Sequence, residues 1–142
     1  MIRGEHSIQG FVMAYLSLNA YYLTAPEAEL AHGYCDIYLL PDKQRYPDTA
    51  HSYIIELKYL AEKTASKQEQ SQARLSYAER ERARRSQDGD AAAAKQWADG
   101  VEQIRRYATD RKVALMGAGT TLHLVIMQVR GCELVRMEET AR

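Results

Sequence analysis

Several things are scarce in this chain, and each scarcity excludes a class of protein. Two cysteines in 142 residues, Cys35 and Cys132, are too few for a disulfide framework and do not have the spacing of a metal site. No apolar run approaches the ~20 residues of a membrane-spanning helix. The N-terminal stretch has no succession of basic, apolar and small-residue regions that would mark a secretory leader. Together these absences predict a cytoplasmic protein with no membrane partner. Charge of one sign is also missing: 19 basic and 19 acidic side chains balance to a formal net charge of zero. The chain is therefore not a polycation that would hold nucleic acid by charge alone. No Gly-x-x-x-x-Gly-Lys-Ser/Thr loop occurs, which excludes a P-loop nucleotide site. The four histidines, His6, His32, His51 and His123, share no ligand spacing, so each is expected at a surface or turn. No Ser/His/Asp or Cys/His arrangement supports nucleophilic catalysis, and there is no internal repeat.

What remains is the composition of one soluble domain, 46% hydrophobic and 27% charged. The whole of residues 1–142 is expected to fold around a single core. The zero net charge hides an asymmetry. Residues 1–58 carry 4 basic and 7 acidic side chains, and residues 59–112 carry 12 basic and 9 acidic ones. The acidic part could hold cations and the basic part phosphates, although a solvated helix surface gives the same pattern.

Periodicity predicts the elements. Glu5 to about Asn19 reads as an amphipathic helix with Ile8, Phe11, Val12, Tyr15, Leu16 and Leu18 largely on one face. Tyr21–Glu29 is expected to be extended, with Pro26 limiting its regularity. Tyr34–Leu40 and Ser52–Tyr59 read as strands, separated by a polar loop with two prolines. From Ala61 to about Arg111 the chain has no proline and is rich in good helix formers. Asp88-Gly89-Asp90 is expected to divide it into two helices, about 62–86 and 91–110. The first has little apolar stripe, and residues 62–97 look like a charged helical insertion. The second aligns Ala94, Trp97, Val101, Ile104 and Tyr107 for packing on a sheet. Leu122–Val129 and Cys132–Met137 read as a final hairpin turning at Arg130-Gly131. A strand-to-strand step through long helices requires a crossover. The order therefore predicts an α/β fold, a small mixed β-sheet flanked by helices.

One constellation carries chemistry. Glu56 and Lys58 lie two residues apart in Ile54-Ile55-Glu56-Leu57-Lys58, so a strand would point both to the same face. Asp36 sits 20 residues earlier in the preceding strand. Neighbouring strands run about 4.7–4.9 Å apart, close enough for carboxylates on each to share one ion. Mg²⁺, with Mn²⁺ as its substitute, takes hard oxygen ligands and usually only one or two protein carboxylates. Such a site could orient a water and offset the charge growing on a phosphodiester, with the Lys58 ammonium nearby. Glu-x-Lys is also a common tripeptide that forms surface ion pairs worth little. Two acids embedded in apolar strands are what set it apart here.

These residues resemble the PD-(D/E)XK nuclease superfamily, whose pattern is an Asp in one strand and Glu or Asp, any residue, and Lys in the next. The chain is similar in particular to the nuclease domain found C-terminal to AAA-type ATPase domains in Bacteroidetes. The similar stretches are Gly33-Tyr34-Cys35-Asp36-Ile37, Ile54-Ile55-Glu56-Leu57-Lys58-Tyr59, Gln103-Ile104-Arg105-Arg106-Tyr107 and Gly131-Cys132-Glu133-Leu134-Val135. The resemblance implies a restriction-endonuclease-like core and Mg²⁺-dependent cleavage of nucleic acid, with DNA the expected substrate. It implies that Asp36 and Glu56 ligate metal and that Lys58 assists catalysis. Glu5 matches an acidic position on the first helix, Gln103 and Tyr107 match supporting positions, and Glu29 is a weaker candidate. Cys35 stands where the family's name has proline, and residues 62–97 are longer than its usual connection. Possible partners are an ATPase domain, in the same or another chain, and a second copy. A non-catalytic docking or dimerisation module beside such an ATPase is the competing reading.

Two further groups have double readings. Arg80, Arg82, Arg84 and Arg85 could follow a phosphate backbone, but Glu79 and Glu81 interleave them, as in a self-paired helix face. Ten tyrosines could stack on exposed bases. Half-buried sheet positions with wet hydroxyls explain them as well.

Overall fold

The computed structural model describes residues 5–30, 32–61 and 72–141, with the side chains of residues 5, 6 and 72–87 outside that description. The elements run α1 (Glu5–Leu16), β1 (Tyr22–Leu30), β2 (Gly33–Pro41), β3 (His51–Leu60), α2 (Gln72–Ala108), α3 (Arg111–Met116), β4 (Thr121–Arg130) and β5 (Glu133–Thr140). The five strands form one sheet in chain order. β1, β2 and β3 make an antiparallel meander, β4 joins β3 in parallel, and β5 returns antiparallel to β4. The parallel step is the one bridged by α2, as parallel neighbours require. The α/β mixed sheet expected from the sequence is the fold observed.

Helices cover both faces. On one, Val12, Met13 and Leu16 of α1 pack on Ile37, Leu39, Ile55 and Leu57. On the other, Trp97, Ile104 and Tyr107 of α2 pack on Tyr38, Ile54, Leu124 and Ile126. The α2 stripe is as expected except at its start, where Ala94 is exposed. The α1 stripe is not. Ile8, Val12 and Leu16 turn inward with Gln9 and Met13, but Phe11, Tyr15 and Leu18 are exposed. Residues at i, i+4 and i+7 form a ridge of their own, and the inward one is that of Gln9, Val12, Met13 and Leu16.

Three other expectations are corrected. Asp88-Gly89-Asp90 does not divide the helix: α2 is continuous over 37 residues, about 55 Å at 1.5 Å per residue. An interior glycine costs only about 1 kcal/mol, and the Ala91–Ala94 run beside it propagates helix well. The part of the expected first helix over 62–71 lies outside the described residues. α3 was not expected; Asp110 caps it by accepting from the backbone N–H of Lys112. The last hairpin turns at Gly131-Cys132, because Arg130 and Glu133 are already paired. Gly131 has φ +59°, the positive value that the first central residue of a type II′ turn needs. No described helix is long and apolar enough to cross a membrane.

Candidate active site

The site forms where β2 and β3 part. Their ladder holds Leu39 to Tyr53, Tyr38 to Ile54 and Ile37 to Ile55, and then stops. The next residues in that register are Asp36 and Glu56. On the outer sides, β2 stays paired to β1 as far as Gly33 and β3 to β4 as far as Leu60, so the strands fork while their neighbours hold them. Asp36 spans the fork: its Oδ2 accepts from the backbone N–H of Leu57 at 2.7 Å, in place of the missing ladder bond.

Strand alternation also breaks here. Tyr38 and Cys35 both pack on the α2 side although they are three residues apart, and Ile37 between them faces α1. The same slip occurs directly across in β1, where Ala25 and Ala28 both pack on the α2 side. Between them Glu27 adopts φ +47°, a left-handed conformation unusual for a residue with a Cβ. Irregular backbone in two paired strands thus turns Asp36 out of the plain in-out pattern and toward β3.

Glu56 follows Ile54 on the α2 face and is 2% exposed. Its Oε1 accepts from Lys58 Nζ at 2.8 Å. Lys58 also donates to Gln103 Oε1 at 2.9 Å. Gln103 Nε2 donates to the Tyr107 hydroxyl at 2.6 Å, and that hydroxyl donates to the carbonyl of Tyr34 at 2.7 Å. This chain runs from the carboxylate through one turn of α2 and back to the start of β2, fixing the ammonium between strand and helix. The i, i+4 spacing of Gln103 and Tyr107 puts both on one helix face.

The local field is negative. Burial first, then the charges of Glu56 and Asp36, push the Cys35 thiol up to about 12. Burial likewise raises the Tyr107 hydroxyl, and the charge of Glu56 adds to it against the Gln103 hydrogen bond. Carboxylate oxygens in such a negative field suit a hard divalent cation. Among the described residues no three His, Cys, Asp or Glu side chains assemble into a metal cluster. Asp36 and Glu56 are the two carboxylates here that could offer oxygens to a cation, and Mg²⁺ usually takes only one or two from a protein.

Five residues named from the sequence, Asp36, Glu56, Lys58, Gln103 and Tyr107, therefore share one region. Glu5 begins α1, but its side chain lies outside the described residues, as do those of Arg80, Arg82, Arg84 and Arg85 on α2. Glu29 is on the outer strand β1 opposite Tyr34, where its carbonyl accepts from Lys112. Two contributors were not anticipated. Gln9 is buried on α1 and donates to the backbone carbonyl of Asp36 at 2.9 Å. Its signal was a polar residue in the stripe shared with Val12, Met13 and Leu16. Gly100 on α2 faces Lys58: a Cβ there would lie 3.0 Å from Lys58 Cε. Nothing in the sequence marks it beyond a glycine inside a helix.

A family model described as the PD-(D/E)XK nuclease superfamily matches residues 3–139. The chain belongs to that superfamily. No curated protein and no solved structure matches it. Asp36 lies on β2 and Glu56-Leu57-Lys58 on β3, the two strands that fork in this structure. Members of this superfamily generally use divalent metals.

Proposed function

We propose that this chain is a nuclease that hydrolyses phosphodiester bonds in DNA, dependent on Mg²⁺ or Mn²⁺ held by Asp36 and Glu56. The observation that carries the reading is the fork of β2 and β3, with two acids at its mouth and the Lys58 ammonium 2.8 Å from Glu56 Oε1. When bound, the cation supplies Lewis-acid polarisation of the phosphate and a water made acidic enough to attack at neutral pH. The protein's own groups do the rest. Lys58 stabilises charge on the phosphate oxygens and orients the attacking water. Gln103 holds the ammonium in place, and Tyr107 holds Gln103. Gln9 and the Leu57 N–H hold Asp36 from its backbone and side-chain ends.

The same ion pair could instead be purely structural, in a docking module beside an ATPase; the buried Lys58–Glu56 contact is what favours that alternative. Cleavage separates them. The parent should cut DNA with Mg²⁺ or Mn²⁺ and stop with a chelator, and Glu56→Ala and Lys58→Ala should each be about 10²–10³-fold slower. Calorimetry should show saturable Mn²⁺ binding to the parent and none to Asp36→Asn. Variants that cut as well as the parent would sink the residue assignment. A folded parent that binds no millimolar Mn²⁺ would leave the docking module. RNA in a parallel reaction tests the choice of DNA.

A further inference from the structure

The parallel pairing of β3 with β4 places His123 opposite Tyr53, two residues along from His51. His51 Nδ1 and His123 Nε2 face each other at 2.9 Å. The other ring nitrogen of His123, Nδ1, lies 2.7 Å from Glu139 Oε1 on β5. Tyr53 stacks on the His123 ring at a centroid distance of 4.8 Å. Three strands thus contribute one chain, carboxylate to imidazole to imidazole, that the nuclease reading does not use.

The carboxylate fixes the protons. An ionised Glu139 can only accept, so His123 Nδ1 carries the hydrogen, and in the neutral ring His123 Nε2 then presents a lone pair. The His51 Nδ1–H then donates to that lone pair. This is how metal-binding histidines are commonly prepared: one nitrogen is held by a carboxylate, and the other is left basic and aimed. Three changes convert the hydrogen bond into a chelate: His51 moves its proton to Nε2, the rings part by about half an ångström, since metal–nitrogen bonds of about 2.0–2.1 Å at tetrahedral angles set the nitrogens about 3.3 Å apart, and the rings tilt so that both lone pairs turn off the line between the nitrogens toward one ion. His51 is exposed and lies on the strand's first residue, so the movement is open to it.

We propose that His51 Nδ1 and His123 Nε2 form a second metal site, for Zn²⁺ or another imidazole-seeking transition ion, with Glu139 orienting His123 from behind. The site has two protein ligands, and water would complete the shell. Nitrogen donors favour Zn²⁺, Ni²⁺ and Cu²⁺ over Mg²⁺. The site is separate from the carboxylates. His51 is five residues from Glu56 along β3, about 16 Å at 3.3 Å per residue, and odd-numbered β3 residues face α1 rather than α2. Paired catalytic metals sit about 3.5–4 Å apart, so this ion would not act on the same phosphate. It would tie β3 to β4 and, through Glu139, to β5.

The test is calorimetric titration of Zn²⁺ into the Asp36→Asn, Cys132→Ser double variant, which removes the proposed carboxylate site and the exposed thiol. One saturable site is expected. It should vanish with His51→Ala or His123→Ala, and weaken about 10–100-fold with Glu139→Gln. In spectra of the parent, Zn²⁺ should shift the ring resonances of His51 and His123 and leave those of His32 in place. No saturable Zn²⁺ binding, or binding that survives both alanine variants, overturns the proposal. His51→Ala alone decides if His123→Ala fails to fold, because His51 is exposed and is the first residue of β3.

Discussion

At the scale of single residues, the candidate site rests on small side chains as much as on charged ones. Gly100 is the clearest case. A methyl there would gain about 1 kcal/mol of helix propensity, yet it would press on the Lys58 stem at 3.0 Å. Gly100→Ala is therefore expected to melt no lower than the parent while cleaving DNA about tenfold more slowly, since sub-ångström misplacement of a catalytic group is expensive. Paired melting and rate measurements check it; equal rates would show that Lys58 has room to spare. Cys35 is the second case. It is fully buried and its thiol is pushed up to about 12, whereas Cys132 is exposed. A thiol reagent at pH 8 should label one cysteine in the folded protein and two after denaturation. Because the folded Cys35 holds its proton more tightly than the unfolded one, its contribution to stability is complete below about pH 9 and is lost as pH rises toward 12. A denaturation series over that range should show stability falling, less steeply in Cys35→Ala. Asp36, Glu56 and Lys58 were legible in the sequence because strand geometry repeats every two residues and neighbouring strands are close. Gln9 and Gly100 were not, because each acts on a residue far along the chain.

At the scale of elements, local signals and cooperative ones compete. Asp88-Gly89-Asp90 is a turn signal within three residues, but a helix of 37 residues averages over it. Among the described residues, nothing beyond its chain neighbours and the helix's own backbone lies within 4 Å of a Cβ at Gly89. Gly89→Ala should thus stabilise α2 by about 1 kcal/mol, read as a higher melting temperature with added helical ellipticity. A lower melting temperature would mean that the glycine serves a bend or a contact. In α1 two hydrophobic ridges lie side by side, and periodicity alone does not say which one meets the sheet. α3 escaped notice because six residues are less than two turns, too few to show a period. Four strands were legible to within one residue at each end, since their apolar runs stop at turn residues such as Pro41 and Gly33; β5 runs three residues past the expected Met137, because its end is polar and exposed and shows no apolar run.

At the scale of the whole molecule, the mixed sheet could be foreseen from element order alone, but the pairing of His51 with His123 could not. Those residues are 72 apart in sequence and meet only through the parallel register of β3 and β4. That same register separates the sheet into a near part and a far part. Ile37 and Ile55 pair across 18 residues, while Ile54 and Leu124 pair across 70. Short closures are entropically easier than long ones, so the meander β1–β2–β3 is expected to form ahead of the crossover. Asp36, Glu56 and Lys58 all lie on that meander, whereas Gln103, Tyr107 and Gly100 arrive with α2. The expected order of assembly thus brings the acids and the lysine together early and closes the helix that pins the lysine over them afterwards.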